Sequence, residues 1–151
     1  MQTPDYDRFF QSYVDFYNGA LERKPVLDDL RRCYAEYLVS ASGAQVMGGE
    51  NGAEYGKVLE EGFGFYRAIG VKQMLFRGVD LSEIIPDHDM AKVHFRAEMR
   101  KKDGSPLTLD FDVTYLLQRR DGGPKIFAFV SEDEMALFRE YGLVDKDGKP
   151  V

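Results

Sequence analysis

The chain has 151 residues, 44% hydrophobic and 30% charged, which is the balance of a single globular domain and not of a disordered segment; at this length about two-thirds of the unfolded surface can be buried. A formal net charge of −6 and an isoelectric point near 5.0 argue against partners held by phosphate neutralisation, as nucleic acids are. No apolar run reaches bilayer length, and the start, Met1-Gln-Thr-Pro, lacks the basic-then-apolar order of an export signal; no membrane partner and a cytoplasmic location are expected.

From Asp5 to Leu21 apolar residues recur at three-and-four spacing, which predicts a first helix with a wide buried face. Pro25 suits the first turn of a second helix, with Val26, Leu27, Leu30, Cys33 and Tyr34 on its inner side. Cys33 is the only cysteine, so no internal disulfide can form, and on that stripe it reads as a small buried hydrophobe. Tyr37 to Gly43 carries β-type and then small residues, predicting a short strand that runs into the loop from Gly43 to Gly49, with Gln45-Val-Met as its continuation. Asn51 with Glu54 three positions on reads as the capping pair of a third helix, ended by Gly70.

Beyond Gly70 the period changes to two. Lys72 to Ile85 predicts a long strand, irregular at Gly78, and Pro86-Asp-His-Asp its turn. Met90 to Lys102 and Leu107 to Arg119 predict the next two, with odd-numbered residues on the apolar face. In a last strand, Lys125 to Val130, the same alternation puts Ile126, Ala128 and Val130 inside and Phe127 and Phe129 outside. Ser131 with Glu134 predicts the cap of a short helix through Tyr141, followed by a loose polar tail. One domain over 1–151 is expected, its core spanning about 5–142 and its tail 143–151.

Three helices interrupted by a short strand and followed by a meander of long strands resemble the NTF2-like superfamily, which includes the ketosteroid isomerases and the SnoaL-type polyketide cyclases. The local anchors are Tyr34-Ala-Glu, the Phe95-Arg-Ala-Glu-Met strand, the Leu109-Asp-Phe-Asp-Val strand and the glycine turn leading to Ile126. The resemblance implies an α+β cone: three N-terminal helices on a strongly bent, mixed but mainly antiparallel sheet, with a short C-terminal helix. It also implies a cavity between helices and sheet, and homodimers formed through the convex sheet face. Phe127, Phe129, His94 and Arg96 are the expected dimer surface, because adjacent strand aromatics need a cover.

Ketosteroid isomerases use a tyrosine on the first helix, a carboxylate base at the end of the short strand and a protonated aspartate on an inner strand position. Tyr13 matches the first and is a weak catalytic candidate, but the other two positions fall at Ser42 and Val113, which carry no carboxylate. Asp110 and Asp112 reach the interior only through a register shift that would expel Phe111 and Val113. They are expected instead to pair across strands with Arg96 and His94. His88, between Asp87 and Asp89, reads as a solvated turn and not as a metal site. Gly48-Gly-Glu-Asn-Gly lacks the Lys and hydroxyl of a phosphate loop and reads as a cavity lip; no Gly-x-Ser-x-Gly occurs.

The expected lining is Tyr13, Tyr17, Tyr34, Ser42, Tyr66, Phe95, Ala97, Phe111, Val113, Ala128 and Val130, an apolar wall with several phenols suited to a small hydrophobic organic ligand. No cofactor and no metal are expected. Three functions follow from this reading: a small-molecule-binding domain; an isomerase, lyase or cyclase acting on a hydrophobic cyclic carbonyl compound, with Tyr13 polarising the carbonyl; and a protein-interaction module.

Overall fold

The computed structural model describes every residue, Met1–Val151. Helix α1 (Tyr6–Leu21) begins where the Asp5 side chain accepts the Arg8 N–H, and it buries Tyr6, Phe10, Tyr13 and Val14 on one face. Helix α2 (Leu27–Arg31) is a short turn that buries Leu30. It ends before Cys33 and Tyr34, and strand β1 (Tyr34–Ser42) starts three residues earlier than the apolar pattern suggested. Strand β2 (Gln45–Glu50) is a separate strand paired antiparallel with β1, not a continuation of it, because Gly43 at φ +58° lets the chain reverse there.

Helix α3 (Ala53–Ala68) is capped at Gly52. The Asn51 side chain does not cap it, but donates to the backbone carbonyls of Arg31 and Tyr34 and accepts from Arg31 Nε, tying α3 to the end of α2. Strands β3 (Val71–Ile85), β4 (His88–Arg100), β5 (Pro106–Gln118) and β6 (Lys125–Ser131) follow, and then helix α4 (Glu134–Glu140). The six strands form one sheet in the order β2-β1-β6-β5-β4-β3, antiparallel except where β1 runs parallel to β6. The chain is thus the α+β architecture expected from its pattern, with α1, α2 and α3 ahead of the meander and α4 after it. No helix is long and apolar enough to cross a membrane.

In β4 and β5 odd-numbered side chains face the helices. Val93, Phe95, Ala97, Leu109, Val113 and Leu117 are buried, while Asp110 and Asp112 point outward to Arg96 and His94. β3 is the sheet edge next to α1, and there the Asn18 side chain bonds both backbone groups of Met74, at 2.9 and 2.7 Å, in place of a neighbouring strand.

Strand β6 departs from simple alternation. Leu117 pairs with Ile126 but Leu116 pairs with Ala128, so Phe127 is an extra residue, a β-bulge. Ile126 remains inside, and beyond the bulge the parity is reversed: Phe129 and Ser131 face the interior, whereas Ala128 and Val130 face outward, Val130 being 56% exposed. This overturns the inward placement of Ala128 and Val130 and the outward placement of Phe129.

Three further expectations are corrected. Asp133, not Ser131, caps α4, accepting the Ala136 N–H, because Ser131 still belongs to β6. The tail is not loose: Leu143 and Val144 are buried, Val144 bridges Pro150, and Asp145 closes the turn between them. Asp89, expected in a solvated turn, is buried beside Arg119, with Tyr6 donating to it at 2.6 Å. His88 does stay at the turn, where Nδ1 lies 2.9 Å from the Pro86 carbonyl.

Candidate functional site

A cavity of about 710 Å³ lies between the helices and the inner face of the sheet. Helix α1 contributes Tyr13 and Tyr17, α3 contributes Tyr55, Phe63 and Tyr66, and the sheet contributes Phe95, Phe111, Val113, Tyr115 and Phe129. These come together because α1 and α3 each present an apolar stripe to the sheet, whose inward positions recur every second residue. Exposed Met47, Gly49 and Glu50 of β2, with Gly52 ahead of α3, form its rim.

Of the expected lining, Tyr13, Tyr17, Tyr34, Tyr66, Phe95, Phe111 and Val113 are brought together here. Ala97 instead lines an adjoining void of about 30 Å³ with Leu137 and Phe138 of α4, room for about one water. Ser42 is one strand repeat too far along; its hydroxyl donates to the Glu132 carbonyl at 2.8 Å, and Ser40 takes the lining position. Ala128 and Val130 are absent from the wall because of the bulge, which turns Phe129 in against Tyr34 and Tyr115, ring centroids 6.2 and 5.9 Å away.

Two polar pairs punctuate this wall. The Tyr13 and Tyr34 hydroxyls lie 2.8 Å apart, and burial raises the pKa of both phenols. On the far side, Tyr66 donates to Glu134 Oε2 at 2.9 Å. Burial also raises the Glu134 carboxyl above its ordinary range, with the Tyr66 hydrogen bond acting against that rise. Glu134 was invisible as a site residue in the sequence, where it read as the partner of a Ser131 cap. Moving the cap to Asp133 makes Glu134 the first residue of α4 and turns it to the cavity.

The carboxylates of the ketosteroid isomerase pattern remain missing here: Val113 lines the cavity and Ser42 does not. The outward charges are knit to one another. His94 lies 2.6 Å from Asp112 and 2.8 Å from Asp80, and these hydrogen bonds raise the imidazole pKa; Arg96 grips Asp110 through two bonds at 2.7 and 3.0 Å. Phe127 sits on that outer side near His88, their ring centroids 6.5 Å apart. Burial pushes the Cys33 thiol up to about 11, which leaves it protonated and unreactive near neutrality. No three His, Cys, Asp or Glu side chains are grouped so that they could hold a metal.

Residues 4–134 match the family model described as NTF2-like protein (DUF6841). No curated protein matches the chain. Among solved structures, Aln2 from a Streptomyces species is 14% identical with a TM-score of 0.65, over 93% of this chain and 99% of that one. An NTF2-like protein with a cystatin-like fold from Novosphingobium aromaticivorans is 11% identical at 0.63, over 83% of this chain and 77% of its own. A ketosteroid isomerase-like protein from Erwinia carotovora atroseptica is 12% identical at 0.55, over 80% and 86% of the two chains. At such identities the structural likeness speaks for the fold alone, while the sequence match spans most of the chain: this protein belongs to the DUF6841 family of NTF2-like proteins.

Proposed function

We propose that the chain binds a small, mainly apolar, cyclic organic molecule in the cavity beneath α1 and α3. The observation that carries this reading is a space of about 710 Å³ walled largely by aromatic side chains, within the range of about 300–1,000 Å³ that ligand pockets occupy. Taking about 200 Å² of apolar ligand surface out of water would contribute about 5 kcal/mol at ~25 cal/mol per Å², before the cost of association. Binding is favoured over carbonyl chemistry at Tyr13, because that hydroxyl is engaged with Tyr34 and neither Ser42 nor Val113 supplies a base.

Titration with a neutral naphthalene fluorophore tests the reading. Ser131→Phe projects a ring into the cavity from β6 and is expected to weaken binding at least tenfold, whereas Val130→Phe on the outer face leaves it unchanged. Equal affinity in wild type and Ser131→Phe would remove the cavity as the binding site.

We also propose that two copies pair through the outer face of the sheet. Met90, Leu116, Ala128 and Val39 lie in one row across β4, β5, β6 and β1, with Val130 beside them, and this apolar row supports a second chain as its cover.

A further inference from the structure

We infer that the ligand of this cavity is a lipophilic organic cation: an amine, protonated at neutral pH, carried on an apolar ring system. The inference rests on the reading that the cavity binds a small molecule, and adds its chemical class. The 27 lining residues include three carboxylates, Glu50, Glu54 and Glu134, and no Lys, Arg or His. Glu134 forms no ion pair within the chain, and of its two carboxyl oxygens only Oε2 has a hydrogen-bond partner, the Tyr66 hydroxyl. Glu134 is half-buried, and a carboxylate partly withdrawn from water without a counter-charge is costly; a ligand ammonium placed against Oε1 would supply both the charge and a second donor.

The surroundings favour the same chemistry. Tyr17, Tyr66 and Phe111 line both the cavity and the small void beside it, as Glu134 does, so aromatic rings and the carboxyl border the same space. Aromatic faces attract cations through their quadrupole, more strongly where water is thinned. At the rim, Glu50 accepts only a long bond of 3.4 Å from Tyr37, and Glu54 is 3.7 Å from Lys57, whose side chain is not part of the wall. With a net charge of −6 on the whole chain, the field at the entrance draws cations and repels anions. An anionic or neutral ring compound would leave Glu134 with the Tyr66 hydroxyl alone and no counter-charge.

The test is competition against the bound neutral naphthalene fluorophore by three probes of one shape: 2-naphthylmethylamine, 2-naphthalenemethanol and 2-naphthoate. The amine is expected to bind at least tenfold more tightly than the alcohol, and the carboxylate at least tenfold more weakly than the alcohol. Glu134→Gln should abolish the difference between amine and alcohol, the two binding that variant within about threefold of each other. An alcohol that matches or exceeds the amine on the wild-type chain overturns the cation assignment and leaves the binding cavity standing, and this comparison needs no variant to fold. An amine preference that survives Glu134→Gln overturns the assignment of Glu134. If neither fluorophore nor probes bind, the cavity reading fails and the cation assignment with it.

Discussion

Asp89 and Arg119 show how differently two aspartate–arginine pairs in one sheet bear on stability. Asp89 and Arg119 are 4% and 7% exposed, and Tyr6 and Glu83 complete their hydrogen bonding; Arg96 and Asp110 are 35% and 60% exposed. Removing one partner of a buried pair leaves an uncompensated charge, at a cost of about 3–5 kcal/mol. Asp89→Asn should fall at the lower end, about 3 kcal/mol in urea unfolding, because Arg119 keeps Glu83 and the Met1 carbonyl; Asp110→Asn should cost under about 1 kcal/mol. The acid limb carries the same signature. Hydrogen bonds from Arg119 hold the Asp89 carboxyl below its ordinary range, so its stabilisation is complete above that range and is lost as pH falls through the depressed folded value. The Asn variant should therefore lose less stability on acidification than the wild type; a parallel acid limb would show that Asp89 is not ion-paired in solution. Nothing in Asp87-His-Asp marks this role, because the partner, Arg119, lies thirty residues on and is brought beside it by the β4–β5 register.

At the scale of elements, strand parity was legible in the sequence wherever the ladder is unbroken and illegible where a residue is inserted. Alternation from Val93 to Val113 reads directly onto the buried face. The bulge at Phe127 has no such signature: no glycine marks it, and Ile126 to Val130 alternates without interruption as text, so both aromatics read as outward when only Phe127 is. Part of the cavity wall on α1, β1, α3, β4 and β5 was thus readable, while Phe129, Ser131 and Glu134, all downstream of the bulge, were not. The helix stop at Gly70 was plain, and its reason is steric as well as conformational. Gly70 adopts φ +96°, and a Cβ there would meet the Arg100 carbonyl oxygen at 2.0 Å. Gly104, at φ +87°, has nothing within 4 Å. Gly70→Ala should accordingly cost well over about 2 kcal/mol, and Gly104→Ala about 1 kcal/mol from backbone strain alone. Equal unfolding midpoints for the two variants would mean that the α3–β3 junction can open to admit the methyl group.

For the whole molecule, the bulge changes which apolar side chains lie on the outer sheet face without clearing that face of them. Phe129 leaves that face, but Ala128 and Val130 arrive on it; Ala128 lies in one row with Val39, Leu116 and Met90, and Val130 in the next with Ala41, Thr114 and Lys92. Strands are about 4.8 Å apart and side chains on one face about 7 Å apart along a strand, so the apolar row over four strands, with Val130 and Ala41 of the next row, makes a patch of a few hundred Å² at most. A stable dimer buries about 800 Å² on each partner, which the apolar rows alone do not reach. The shortfall can be met by the polar ring beside them, Lys92, His94 and Asp112, in the usual order of an apolar centre within a polar rim. A charge at the centre should therefore act more strongly than one at the edge. Leu116→Lys is expected to shift sedimentation at micromolar concentration from dimer to monomer with the fluorophore site intact, since Leu116 faces away from the cavity; Lys92→Glu should weaken pairing only slightly. A wild-type chain that sediments as a monomer at that concentration would remove the second copy as the cover of this face, and the apolar row would then need a different protein partner.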